Sequence, residues 1–164
     1  MKRVLSACAL MSLLSACVPP PSRPVSLMTR LPPPYAEGEW ALRRGRNTIE
    51  GRVAVRQPDG TVTTCADNAA SLIPVTPSTR ARMDALYGRD RNFALVGSEH
   101  PSRDPAMERL VRHEPCDEGG RFRFTRVADG DYFVVAGVPE PEPSSVKKEV
   151  SVRGGVTRRV LLTN

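Results

Sequence analysis

The chain has 164 residues, 24 Lys and Arg against 18 Asp and Glu, a formal net charge of +6 and only eight aromatic side chains. That length supports one hydrophobic core of ordinary size and excludes a TIM barrel and most two-domain enzymes. The apolar and charged fractions, 40% and 26%, suit a globular domain.

The N-terminal segment reads as a targeting signal. Lys2 and Arg3 precede the apolar run from Val4 to Ala16, which is too short to span a bilayer. The run closes on Leu14-Ser15-Ala16-Cys17, which resembles the lipobox of bacterial lipoproteins. The resemblance implies that residues 1–16 are a signal peptide and that Cys17 becomes an acylated N-terminus, with palmitate-like chains. The remainder would carry 22 basic and 18 acidic side chains, a net charge of +4. Each buried CH₂ contributes about 0.8 kcal/mol, so several acyl chains hold a protein on a membrane without a helix. Val18, not Asp, follows the cysteine. By resemblance to the sorting rule of enteric bacteria, this implies the outer membrane, facing the periplasm.

Residues 17–47 read as a tether and lead-in. Pro19, Pro20, Pro21, Pro24, Pro32, Pro33 and Pro34 fix φ and donate no backbone hydrogen bond, which predicts a semi-extended spacer. A proline-rich ligand for a partner's groove is the alternative.

Residues 48–164 read as one β-rich domain. Ile49, Gly51, Val53 and Val55 alternate with Glu50, Arg52 and Arg56, as in a strand with one buried face. Pro58-Asp59-Gly60 makes a turn, and Thr61 to Thr64 returns as a partner strand. Ser71 to Val75 is a short apolar strand. Next comes an insertion over about 78–120. Ser78 is a cap, Met83, Leu86 and Tyr87 share a helical face, and Gly88 is a stop. Asp104-Pro105 opens a second helical turn with Met107, Leu110 and Val111 on one side. Residues 89–120 form a long excursion. Arg121 to Thr125 alternates cleanly, Ala128 to Asp131 turns, and Tyr132 to Val138 is apolar on both sides. This predicts a hairpin whose second strand is covered on both faces. Pro139 to Pro143 breaks the chain. Glu149 to Val152, Gly154-Gly155 and Thr157 to Leu162 form a final predicted hairpin. About seven strands point to a sandwich.

Three segments carry a family resemblance. They are Asn47 to Val53 with the Asp59-Gly60 turn, then Ser71-Leu72-Ile73-Pro74, then Asp117 to Phe124 followed by Val127-Ala128-Asp129-Gly130-Asp131-Tyr132. Together they resemble carboxypeptidase regulatory-like domains, which are transthyretin-like β-sandwiches. The resemblance implies a non-catalytic interaction module without cofactor, and no catalytic residues.

Four cysteines reduce to one pair. Cys8 lies in the signal and Cys17 at the lipid site, leaving Cys65 and Cys116. Export favours a disulfide between them. The competing reading is a metal site built on His113 and Cys116, with His100 or Asp117 nearby.

Signatures of catalysis are lacking: no Gly-x-Ser-x-Gly, P-loop or His-Glu-x-x-His occurs. Asp129 and Asp131, like Asp117 and Glu118, are oxygen-rich turn residues. They fit either calcium or an ordinary turn, and neither run has a twelve-residue calcium loop. Arginine outnumbers lysine 21 to 3. Arg43, Arg44 and Arg46 lead into the domain, while Arg121, Arg123 and Arg126 line one predicted hairpin. Such a face suits an acidic glycan or a phosphorylated headgroup, or is simply solvated. Nucleic acid is excluded as a partner by export and by the want of an aromatic stacking platform. The expected function is therefore a lipid-anchored envelope module that presents its sandwich to a protein or glycan partner. The runner-up is a module binding calcium, metal or acidic glycan.

Overall fold

The computed structural model describes residues 35–95, 104–139 and 143–164. The predicted signal peptide, Cys17, the predicted tether up to residue 34 and His100 lie outside the described residues. None of the described helices is long and apolar enough to cross a membrane.

The protein is a β-sandwich with a partly helical insertion. A 3₁₀ helix, Tyr35–Leu42, leads in. The strands are β1 (Asn47–Val53), β2 (Val55–Arg56), β3 (Val62–Thr63), β4 (Ala69–Pro74), β5 (Phe93–Leu95), β6 (Arg112–Pro115), β7 (Arg121–Val127), β8 (Gly130–Val138), β9 (Ser144–Val152) and β10 (Thr157–Leu162). Helix α1 (Pro77–Tyr87) and the short α2 (Pro105–Glu108) lie in the insertion. One sheet has the order β10-β1-β7 and the other β5-β9-β8-β4-β6, while β2 and β3 form a small ribbon.

The alternation seen in the sequence fills the space between the sheets. Ile49, Phe122, Phe124 and Leu162 enter from the three-stranded sheet and Leu72, Tyr132, Val134, Val146 and Val152 from the five-stranded one, all essentially buried. Each such side chain contributes roughly 1.5–3 kcal/mol over its exposed state. The opposite face of the five-stranded sheet is covered too. Ile73 and Phe133 meet Met83 and Tyr87 of α1 and Met107 of α2. This second cluster explains why β8 is apolar on both sides.

Both predicted hairpins are in fact crossings between sheets. β7 pairs antiparallel with β1, whereas β8 pairs with β4 and β9. β10 leaves β9 altogether and runs parallel to β1, from Thr48 opposite Thr157 to Val53 opposite Leu162. Turn residues and alternation look the same for a hairpin and for a sandwich corner, since either needs a reversal between two half-buried strands. The long hairpin is instead β8–β9, whose ladder runs from Gly130–Val152 to Val138–Ser144. It flanks the proline run that reads as a break.

The insertion also departs from expectation. Its ends contribute the edge strands β5 and β6, so residues 89–120 are partly woven into the second sheet. Thr76, not Ser78, caps α1: its hydroxyl accepts from Thr79 N at 3.2 Å and Thr79 Oγ1 accepts from Thr76 N at 2.9 Å. Ser78 instead donates from its backbone and hydroxyl to Glu37, which ties α1 to the lead-in. Leu86 points outward while Met83 and Tyr87 are buried. Gly88 ends α1, and Asp104 caps α2 as expected. The Cys65–Cys116 disulfide is formed, with Cα atoms 5.8 Å apart. It ties the β3–β4 connection to the end of β6.

Candidate functional site

Asp129 and Asp131 sit at the β7–β8 corner, and their oxygens are engaged there. Asp129 Oδ1 accepts from Asn47 Nδ2 at 2.7 Å and from Gly154 N at 3.1 Å. Asn47 is fully buried. It also donates to Val127 O, and it accepts from Gly155 N and Val156 N at 2.8 and 3.0 Å. The Asn47 amide, then the Gly154 N–H, holds the Asp129 carboxyl below the usual carboxylate range. Asp131 is gripped by both terminal nitrogens of Arg153, at 3.0 and 3.1 Å, which lowers its carboxyl as well. Tyr132 donates to Ala128 O at 3.0 Å, four residues upstream, and burial pushes its phenol up to about 12. This hydrogen bond is like the tyrosine corners of immunoglobulin sandwiches. The lead-in closes the corner from outside: Trp40 meets Tyr132 edge-on at 5.3 Å. The indole lies where any side chain on Gly130 would be, since a Cβ there would come within 2.0 Å of it.

His113 lies on the outer face of the five-stranded sheet. Its Nε2 is 2.7 Å from Glu108 Oε1 and its Nδ1 is 3.0 Å from Ser71 Oγ. Cys116 is consumed by the disulfide and offers no thiolate to a metal. Among the described residues, no group of three or more His, Cys, Asp and Glu is gathered to hold a metal ion.

Arg52, Arg121, Arg123 and Arg159 face outward from the three-stranded sheet, but they are not bare. Arg123 and Arg159 flank Glu50 at 3.3 and 3.7 Å, and Arg121 stands 3.9 Å from Asp117. Arg52 donates to Gly119 O at 3.0 Å. Beside this face, Arg121 and Arg123 meet Glu50, Glu114 and Asp117 in a shallow groove of about 430 Å³.

A further recess lies beneath α1 on the outer face of the five-stranded sheet. It measures about 280 Å³ and gathers Arg80, Asp84, Asp90, Asn92, Lys147 and Glu149 around Phe133. Arg80 and Glu149 form a two-pronged pair at 2.7 and 3.1 Å. Lys147 is only 8% exposed, and its ammonium stands 5.1 Å from the Tyr87 ring centre and 5.7 Å from that of Phe133. The Arg80 guanidinium covers Phe133 at 5.3 Å. The rings hold the cations by their π faces. The recess therefore presents donors and acceptors side by side, with little aromatic surface for stacking. Sequence reasoning missed it because Arg80 and Glu149 are 69 residues apart. The predicted strand began at Glu149, so Lys147 carried no local signal.

No family model and no curated protein matches the chain. Among solved structures, the chain is similar to a Pseudomonas aeruginosa protein to which carbohydrate binding is provisionally ascribed. The two are 26% identical with a TM-score of 0.63, over 82% of this chain and 99% of that protein. Looser likenesses join it to the minor pilin GBS52 of Streptococcus agalactiae (15% identical, TM-score 0.39, 74% of this chain and 45% of the pilin). A further one is a DUF3823 family protein of Parabacteroides merdae (14%, TM-score 0.31, 73% and 46%).

Proposed function

We propose that the chain is a non-catalytic glycan-binding module of the cell envelope, held through lipid on Cys17 at the periplasmic face of the outer membrane. Its sandwich is of the carboxypeptidase regulatory-like kind, joined to the lipid by residues 17–47. The observation that carries the glycan partner is the likeness, nearly end to end, to the Pseudomonas aeruginosa protein. The recess under α1 agrees with it. Sugar hydroxyls donate and accept at once, and the recess sets the Asp84, Asp90 and Glu149 carboxylates beside Arg80, Lys147 and the Asn92 amide. The lipobox Leu14 to Cys17 supports the anchor.

Titration of the purified full chain against envelope oligosaccharides tests this reading. Saturable binding should appear and should weaken at least about tenfold in Glu149→Gln and Lys147→Met, the loss expected for one or two hydrogen bonds to charged groups. Binding that neither variant disturbs would remove the recess, and no binding to any glycan would remove the function. The anchor has its own test. Intact mass of membrane-extracted protein should equal residues 17–164 plus acyl chains, less two hydrogens for the disulfide.

A further inference from the structure

A third concavity, of about 450 Å³, opens at the side edge of the sandwich, between the end of the lead-in and strands β6 and β7. Arg43, Arg44, Arg112 and Arg126 line it with Thr125, over a floor that includes Ala41. No carboxylate lines it. Five arginines elsewhere meet acids: Arg80 meets Glu149, Arg121 Asp117, Arg123 and Arg159 Glu50, and Arg153 Asp131. Of the four in this pocket, Arg112 has one carboxylate contact, Glu114 at 3.5 Å, and also covers the Phe124 ring at 5.8 Å. Arg43 donates to Trp40 O.

The backbone enforces this crowding of like charges. Arg126 takes φ 55°, a left-handed conformation that costs a non-glycine residue about 1 kcal/mol or more. It sits at the bulge where β7 slips against β1 between Asn47 and Ile49. Gly45 N donates to Arg126 O at 3.0 Å. The lead-in runs so close to β7 there that a Cβ on residue 45 would come within 2.0 Å of Val127 O. Arg43 and Arg44 are therefore fastened beside Arg126, where backbone strain and like charge coincide. A planar guanidinium presents a fork of donors matched to oxyanions, and several around one hollow form a multidentate cradle.

We propose that this pocket binds an oxyanion, the carboxylate, sulfate or phosphate group of an acidic glycan. The identity of the carrier rests on the glycan-binding reading above, whereas the anion site stands on its own geometry. The test titrates the full chain at constant ionic strength with four probes: inorganic sulfate, an oligogalacturonate, a neutral oligosaccharide of equal length, and vesicles containing phosphatidylglycerol. Sulfate and oligogalacturonate should bind, and both should lose about tenfold or more in Arg44→Gln and in Arg126→Gln. The control pair Arg121→Gln and Arg123→Gln should leave that binding unchanged. Equal losses in the control pair, or no anion binding above a chloride background, would overturn the site. Vesicle binding through these arginines without oligogalacturonate binding would overturn the glycan carrier. Neutral-sugar binding that survives Arg44→Gln while acidic binding falls supports the proposal. Loss of neutral binding in Glu149→Gln alone reports on the recess under α1, so failure of one reading is distinguishable from failure of the other.

Discussion

The β7–β8 corner has two faces that treat charge in opposite ways. Asp129 lies on one, where Asn47, Gly154 and the Tyr132 hydroxyl's link to Ala128 satisfy the polar groups that bend the chain. Arg126 lies three residues earlier on the other, in a pocket of arginines that no acid lines. The same lead-in segment closes the first face with Trp40 and builds the second with Arg43 and Arg44. A corner in which every polar group has a partner is a structural joint. A pocket of like charges adds repulsion that salt screens in part and that a ligand of opposite sign would relieve. The contrast separates residues that make the fold from residues available to use it.

The largest expected effect comes from the disulfide, which secures β6 and with it Arg112. Closing a loop between residues 51 apart should contribute about 4 kcal/mol in the chain-entropy model. Replacing Cys65 and Cys116 by Ala should lower the thermal midpoint accordingly, and calorimetry with and without reductant measures it. A midpoint insensitive to reductant would mean that β6 is held by its ladder to β4 alone. Next comes Asn47→Ala. It removes four hydrogen bonds at a fully buried position and leaves the Gly155 and Val156 N–H groups without their acceptor. A loss of about 3 kcal/mol is expected from denaturant titration, since each of the four hydrogen bonds contributes roughly 0.5–1.5 kcal/mol. A loss under about 1 kcal/mol would show that water replaces the amide and that the closed face is looser than its geometry.

How much of this could be read from the sequence depends on the range of the interaction. Strand β1, the β2–β3 return, the α1 stop at Gly88 and the Asp104 cap are legible because alternation and capping act within a few residues. The Cys65–Cys116 pairing was legible because reading Cys8 as part of a signal and Cys17 as a lipid site leaves one pair. The connection of strands was not. Ala128 to Asp131 carries the turn residues of a hairpin, yet Trp40 and Asn47, more than eighty residues upstream, make it a sandwich corner. The parallel partnership of β1 with β10 leaves no local mark, and proline at 139 and 143 disguises the β8–β9 hairpin. Among the site residues, Arg43 and Arg44 stood out by charge and Arg126 by its place in an arginine-rich predicted hairpin. Only the fold brings them together with Arg112, and only the fold distinguishes them from Arg121 and Arg123, which it supplies with acids.

Acid should affect the two faces unequally. The folded-state carboxyls of Asp129 and Asp131 lie below their ordinary values because of Asn47 and Arg153 respectively. A group depressed in the folded state contributes stability that is present above its unfolded value, about 3.9, and is lost as pH falls through the lower folded value. Thermal midpoints should hold from pH 7 to about 4 and fall below it. Asp129→Asn should reduce that fall and leave the profile above pH 5 flat. A profile unchanged by the substitution would assign acid sensitivity to other carboxylates, among them Asp104, whose carboxyl is lowered by the Tyr35 hydroxyl.

The smallest effect is the most informative about the open face. Arg44 and Arg126 are exposed, and none of the acids described stands beside them in the pocket. Replacing both by Gln removes repulsion and breaks no ion pair, so stability should stay within about 0.5 kcal/mol of the parent or rise. The sign is the discriminating quantity. If like charges oppose one another in the free protein, raising salt should stabilise the parent and do less for the double variant, because screening relieves a repulsion that the variant no longer has. Arg123→Gln should show the reverse, losing a little stability at low salt as Glu50 gives up one of its two cations. Sulfate, added at fixed ionic strength, should then raise the parent's midpoint more than the double variant's, since a ligand bound to the native state stabilises it by mass action. If the Arg44→Gln, Arg126→Gln protein instead loses more than about 1 kcal/mol, the two guanidinium groups are structural after all. The open face would then be a second joint of the corner, and the anion site would have to be abandoned.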